Sequence, residues 1–228
     1  LHGAIDRVRN ARLESRLAGP GWYRLWPIPT GADMTRRILI IQGHPHDQGD
    51  HFCHALARAY RTGAEAAGHE VDETRIARLD FPVLTDPAEW SAQPAPEGLD
   101  AVQGQIRRAD HLVIIFPLWL GTMPALVKAF FEQVLRPGFA FDEKARNGRG
   151  ERLLKGKSAR VIITMGMPAL VFRVFFGGHG YRYLKRNILQ FCGIRPVRAS
   201  LVGMVAGASP GRRDKWLKRV GRLAGKGI

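Results

Sequence analysis

Arg36–Leu56, RRILIIQGHPHDQGDHFCHAL, sets the pattern that the rest of the chain repeats. Ile38, Leu39, Ile40 and Ile41 run without a polar break and are followed by Gln42 and the small Gly43. A short apolar run bounded by Gly and Pro is expected of a strand buried on both faces, as in a parallel sheet. Gly43–Asp50 is then built of Gly, His, Pro, Asp and Gln, which cannot continue a strand. From His51 the spacing changes, with Phe52, Leu56, Ala59, Gly63 and Ala66 recurring at helical intervals. The unit is strand, polar loop, helix. In such a unit the free N–H groups of a helix N-terminus meet the carboxyl end of a strand, a position suited to a phosphate.

The same alternation continues toward the C-terminus. Gly68 stops the first helix, and His69–Ile76 alternates well enough for a second strand. Phe81–Pro96 holds four prolines and reads as a long loop along an edge. Leu99, Val102 and Ile106 give a short helix, and HLVIIF at His111–Phe116 a second wholly apolar strand. Pro117–Met123 is a loop, and Pro124 stands at a first helical turn, where its missing N–H costs nothing. Leu126, Val127, Phe130, Phe131, Val134 and Leu135 form the buried stripe of that helix. Arg136–Gly156 reads as a charged surface excursion, Arg160–Met165 as a third central strand, and Met167–Gly180 as a long Gly/aromatic loop. Leu184, Ile188 and Phe191 suit a helix ending at Gly193; Pro196–Val205 is the last strand. Trp216, Val220 and Leu223 share one face of a basic terminal helix. The alternation predicts an α/β three-layer sandwich with a five-stranded parallel sheet covered on both faces. Ligands of such sheets bind beyond the carboxyl ends of the strands, so Gly43–Asp50, Pro117–Met123 and Gly166–Gly180 are expected to converge on one site.

The 228 residues suit one sizeable domain, expected over 36–228. Residues 1–35 lack a sustained period and read as a leader, non-native or weakly ordered, with Met34 as the expected natural start. No apolar run is long enough to span a membrane, and the first residues do not read as a secretory signal. Cys53 and Cys192 lie in apolar contexts with no framework around them, which suits a reduced, cytoplasmic protein. The net charge of +15 is uneven. Residues 1–143 carry 15 Lys/Arg against 18 Asp/Glu, whereas residues 144–228 carry 20 against 2. Such a segment is open to nucleic acid, an anionic membrane surface or anionic ligands, or is a plain solvated surface; it has no interleaved aromatic platform, so nucleic acid is not the expected partner. There is no GxxxxGK[ST], and Phe116 and Pro117 stand where a receiver domain would place its phospho-accepting Asp. His44, His46, His51 and His54 have spacing open to zinc or nickel, but no carboxylate or cysteine completes a ligand pattern. The expectation is therefore no metal, with loop histidines donating to an anion.

GHPHDQGDHFCHAL, then FPLWLGTMPALVKAFFEQVLRPGFAF, then ITMGMPA and FCGI, in this order and spacing, resemble the NAD(P)H:quinone oxidoreductase family of flavodoxin-like flavoproteins, which includes the DT-diaphorases. The resemblance runs from about Arg36 to the C-terminus and implies a flavodoxin-like fold binding FMN or FAD. It implies that His44 and the backbone of His51, Phe52 and Cys53 hold the flavin phosphate. Pro117, Leu118, Trp119 and Leu120 would line the isoalloxazine, and Thr164, Met165 and Gly166 would offer N–H and hydroxyl groups to its pyrimidine edge. Three departures stand out. His51 and Cys53 replace the family's frequent Ser and Asn, Asp50 lies where a hydroxyl is common, and Phe172 stands near an expected Tyr. That leaves His179 as the candidate proton carrier, with an exposed loop histidine as the plain alternative. The implied activity is hydride transfer from NAD(P)H to flavin, then two-electron reduction of a small planar acceptor such as a quinone, by ping-pong use of one site. A homodimer with the flavin near its interface is also implied, with Phe172–Tyr183 as a contact. The alternative is a flavin-binding regulatory subunit of a membrane transporter or another partner.

Overall fold

The computed structural model describes residues 35–91, 95–142 and 150–228, so the expected leader, apart from Thr35, lies outside the described residues. Strand β1 (Arg37–Gln42) leads to helix α1 (Phe52–Glu65), and β2 (Glu70–Arg75) follows. Helix α2 (Leu99–Arg108) precedes β3 (His111–Pro117), and α3 (Ala125–Val134) follows it. Then come β4 (Ser158–Thr164), the short helices α4 (Ala169–Val174) and α5 (His179–Tyr183), β5 (Val197–Val202) and α6 (Pro210–Ala224). The strands form one sheet in the order β2-β1-β3-β4-β5, and every neighbouring pair is parallel. The predicted α/β three-layer, five-stranded parallel architecture is therefore present.

The apolar runs explain why β1, β3 and β4 are central. Ile38 and Ile40 pack with α1 and α6, whereas Leu39 and Ile41 face the opposite layer. Val113 and Ile115 alternate with Leu112 and Ile114 in the same way. Each such side chain, fully buried, contributes roughly 2 kcal/mol on transfer from water. β2, an edge strand, keeps one covered side and spells EVDETR. Helices α1 and α6 approach at their backbones. A Cβ placed on Gly63 would lie 2.3 Å from Gly221 O, so the small residue in the helical stripe marks a helix crossing.

Several boundaries differ from the periodicity. Met167–Gly180, read as a loop, contains α4 and leads into α5, because Ala169–Val174 satisfies its backbone locally once Pro168 has opened the turn. Phe81–Pro96 contains a helical turn at Pro87–Trp90, where Asp86 caps the Ala88 N–H at 2.8 Å. Pro124 is the cap of α3 rather than its first residue. Leu184–Leu189 winds as a π-helix. In the 136–156 excursion Phe141–Asp142 pairs antiparallel with Glu151–Arg152, and Arg136 is buried.

A buried histidine at the start of β3 gives the fold an acid-sensitive point. His111 places Nδ1 2.7 Å from Ser158 Oγ, while its Nε2 is buried without a partner. Burial, reinforced by Arg36, Arg160 and Arg198, pushes its pKa down to about 3. Between the ordinary histidine value and that figure the unfolded chain binds the proton that the folded chain excludes. This contribution to stability is present above about pH 6.5 and is lost as pH falls toward 3. His111→Asn is expected to flatten the acid limb of stability against pH by up to about 1.4 kcal/mol per pH unit. Urea melts at pH 7, 6, 5 and 4 measure it, and parallel limbs for the two proteins would refute the assignment.

Candidate active site

The chain enters the sheet at β1, steps to β2 on one side and then to β3 on the other, so the order reverses between β1 and β3. The loops leaving these two strands part there and leave a crevice, the usual ligand position of this topology. Gly43 is required at the exit of β1. Its N–H donates to Ile115 O at 2.7 Å, and a Cβ there would meet Val127 Cγ2 at 2.8 Å.

Beyond Gly43 the loop gathers four imidazoles. His44 and His51 stack with ring centroids 3.8 Å apart, and His54 meets both edge-on at 5.5 and 5.4 Å. His46 Nδ1 lies 2.8 Å from His51 Nε2. His44 Nδ1 lies 3.0 Å from His46 O and 3.2 Å from His46 N; in the tautomer that accepts the His46 N–H, Nε2–H is a free donor. Burial lowers the pKa of both His44 and His54. Among the described residues no group of three or more His, Cys, Asp or Glu has the geometry to hold a metal.

Helix α1 begins at this cluster. His51 is its cap without a side-chain hydrogen bond, and the N–H groups of His51, Phe52 and Cys53 donate to no other described residue. Unpaired N–H groups at the positive end of a helix dipole form an anion site. Both acidic residues of the loop are turned to cations. Asp47 accepts from Arg78 Nε at 2.7 Å and Arg75 at 3.3 Å, and these bonds, Arg78 foremost, hold its carboxyl below the usual range. Asp50 pairs with Arg58 at 3.7 Å. The Asp50 side chain is 92% exposed. Arg213 of α6 lies over the Phe52 ring, 5.8 Å from its centroid, and brings the basic segment beside the loop.

The second wall comes from β3. Pro117 ends the strand, and the Leu118 N–H donates to Thr164 O at 2.7 Å, which joins this loop to β4. Trp119 and Thr122 exchange N–H···O bonds of 2.9 and 3.0 Å across a two-residue turn at Leu120 and Gly121, both with positive φ. Positive φ costs Leu120 about 1–2 kcal/mol, so this tight turn is held against local strain. The turn leaves Trp119 50% exposed, 6.4 Å between its ring centroid and that of His44. Leu120 is fully exposed.

The third wall departs from expectation. Thr164 Oγ1 is buried 3.2 Å from Cys53 Sγ, and the Met165 N–H donates to Val202 O at 2.9 Å. Neither group is available to a ligand edge; both instead fix the end of β4 to its neighbours. Cys53 is likewise buried, and burial pushes its thiol up to about 11, so its side chain is not open to a ligand. Gly166 is exposed with open space at its Cβ position, and no described group accepts from its N–H. Phe172 is packed in the core and cannot stand beside a ligand in place of a tyrosine. His179 begins α5, exposed, with its ring lying back against Gly177. The contact that sequence reasoning missed is the next residue. A Cβ on Gly180 would lie 2.2 Å from Gly121 O, so α5 packs backbone to backbone on the Trp119 turn. The small residue after His179 was its one legible sign.

The family model described as flavodoxin-like fold matches residues 36–223. The chain belongs to that family. An uncharacterized NAD(P)H oxidoreductase of Haemophilus influenzae is 28% identical over 169 residues, 72% of this chain and 82% of that protein. The FMN-dependent NAD(P)H:quinone oxidoreductase 1 of Pseudomonas aeruginosa is 26% identical over 162 residues, 64% and 70% of the two chains. Among solved structures, the NAD(P)H:quinone oxidoreductase of Methanothermobacter marburgensis superposes with a TM-score of 0.70 at 22% identity, covering 84% of this chain and 96% of that one. The crevice between β1 and β3 is thus the ligand position of a flavodoxin-like fold.

Proposed function

We propose that this chain is a flavin-dependent NAD(P)H oxidoreductase of the quinone-reductase type. The observation that carries the reading is the set of N–H groups of His51, Phe52 and Cys53 that donate to no other described residue, beside His44 and Trp119. The donor set fits a flavin monophosphate: a helix N-terminus and imidazoles for the phosphate, an exposed indole for the ring, and the Gly166 N–H for a polar edge. The likeness to the Pseudomonas relative favours FMN over FAD. Bound flavin supplies the capacity to take a hydride from NAD(P)H and pass two electrons to an acceptor. This chain orients the phosphate, presents one ring face to planar acceptors beside Trp119, and holds His179 at the rim as proton carrier. With flavin held beside Trp119, a single site would serve donor and acceptor in turn, the basis of ping-pong kinetics with quinone-like acceptors.

Val174 and Phe175 are 70% and 81% exposed on α4 and its end, apolar surface that a second copy would cover. A homodimer with the flavin near that contact follows, and sedimentation velocity at micromolar chain concentration should give the mass of two chains. Cys53 and Cys192 are buried free thiols, in keeping with a reducing, cytoplasmic setting.

The test is the visible spectrum of protein incubated with FMN and freed of excess, followed by anaerobic titration with NADPH and NADH. Bleaching of the flavin bands by a nicotinamide nucleotide and their return on adding a quinone are expected. Failure to retain FMN or FAD would overturn the reading.

A further inference from the structure

The edge of the sheet remote from β1 carries a second candidate site. β5 pairs only with β4 among the described strands. Ala159 N donates to Pro196 O and Met165 N to Val202 O, so the even-numbered residues of β5 bond inward. The odd-numbered Val197, Ala199 and Leu201 therefore turn their N–H and C=O groups outward. Val197 O is occupied by the Tyr181 hydroxyl at 3.2 Å, whereas Ala199 and Leu201 line a groove of about 690 Å³. Arg173 of α4, Arg182 of α5 and Lys185 and Arg186 of the π-helix that follows stand along one wall and Arg219 of α6 on the other, with no carboxylate in the lining. None of the five makes an ion pair among the described residues, and residues 152–213 contain no Asp or Glu.

We infer that this groove binds an acidic peptide segment of a partner protein, added as a further strand on the outer edge of β5. Free outward N–H and C=O groups supply the ladder, and cations on one wall select alternate carboxylates. A strand presents alternate side chains to opposite faces. Acidic residues would meet the four cations of that wall, and the intervening residues would lie over Leu201 at the floor of the groove. Two other occupants fit less well. A second copy of this chain would bring cations against cations. A nucleic acid requires open aromatic faces, but Arg219 covers Trp216 at 5.1 Å and Lys185 covers Tyr181 at 5.9 Å. The site is separate from the crevice at β1 and β3 and does not rest on the flavin reading.

The experiment uses the whole chain and a fluorescein-labelled octapeptide of alternating Glu and Val, followed by anisotropy at 50 and 200 mM salt. Saturable binding that weakens with salt is expected. The same peptide N-methylated at alternate residues, which keeps its charge and removes its ladder donors, should bind at least tenfold more weakly. The double variant Arg182→Glu, Arg186→Glu should also lose at least tenfold while keeping its thermal melt. Equal binding of the N-methylated peptide would overturn the proposal by reducing the groove to a general polyanion surface. So would preference for inorganic polyphosphate, an oligothymidylate or phosphatidylglycerol vesicles over the parent peptide, or no peptide binding.

Discussion

Gly63→Ala is expected to lower the free energy of unfolding by about 2 kcal/mol, although alanine is the better helix former. Two effects oppose each other. Replacing glycine in a helix interior gains about 1 kcal/mol of intrinsic propensity. Against this, the new methyl would lie 2.3 Å from Gly221 O, 2.7 Å from Gly221 Cα and 2.8 Å from Gly221 C. These are backbone atoms of α6, so no side chain can rotate aside and the two helices must separate. Overpacking of this kind costs about 3 kcal/mol or more where the neighbour cannot yield. Separation would also loosen Leu56, Tyr60 and Val220, which close the same layer over β1 and β3. Gly104→Ala is the control, since the nearest atom to its new methyl is the flexible end of Arg108 at 3.5 Å. It should gain up to about 1 kcal/mol. Urea unfolding of the two variants beside the parent decides the matter; Gly63→Ala at or above the parent's stability would show that α1 and α6 are not held at backbone contact.

The legible parts of this fold are those in which one local pattern determines the structure. Ile38–Ile41 and Leu112–Phe116 are apolar at every position because helices cover both faces, and they stand at the centre of the sheet. The Gly43–Asp50 loop was legible as the junction between a strand and a helix N-terminus, because the apolar run stops at Gln42 and helical spacing starts after His51. Thr164 and Cys53 were not. Each lies at a position suited to a ligand, yet their side chains meet each other 111 residues apart in sequence. The pairing depends on how α1 sits over β4, a tertiary fact with no local sign. The pairing of Asp47 with Arg75 and Arg78 was hidden for the same reason. α4 was read as loop because it carries no single buried stripe: Phe172 alone is buried, while Leu170 and Val174 are exposed. Hydrophobic periodicity marks a face, not the direction in which it points.

Phe52→Pro is expected to weaken FMN binding by tenfold to a hundredfold relative to Phe52→Ala, while leaving the helix in place. Phe52 is the first residue of α1, and proline at that position sets a suitable φ and removes an N–H that the helix itself does not use. The preceding residue must be extended, and His51 has φ −78° and ψ 140°. Both variants lose the aromatic ring and its contact with Arg213, so their difference isolates one backbone donor. A hydrogen bond from that donor to a phosphate oxygen is charge-assisted and contributes about 1.5–3 kcal/mol, and about 1.4 kcal/mol is tenfold in affinity. Riboflavin, which lacks the phosphate, separates the explanations. Its affinity should be the same for the two variants if the N–H acts on the phosphate. If the proline deforms the loop, riboflavin and FMN should weaken together. Equal FMN dissociation constants for Phe52→Pro and Phe52→Ala, by fluorescence titration, would remove the α1 N-terminus from the phosphate site. The phosphate would then be left to the imidazoles of His44 and His51.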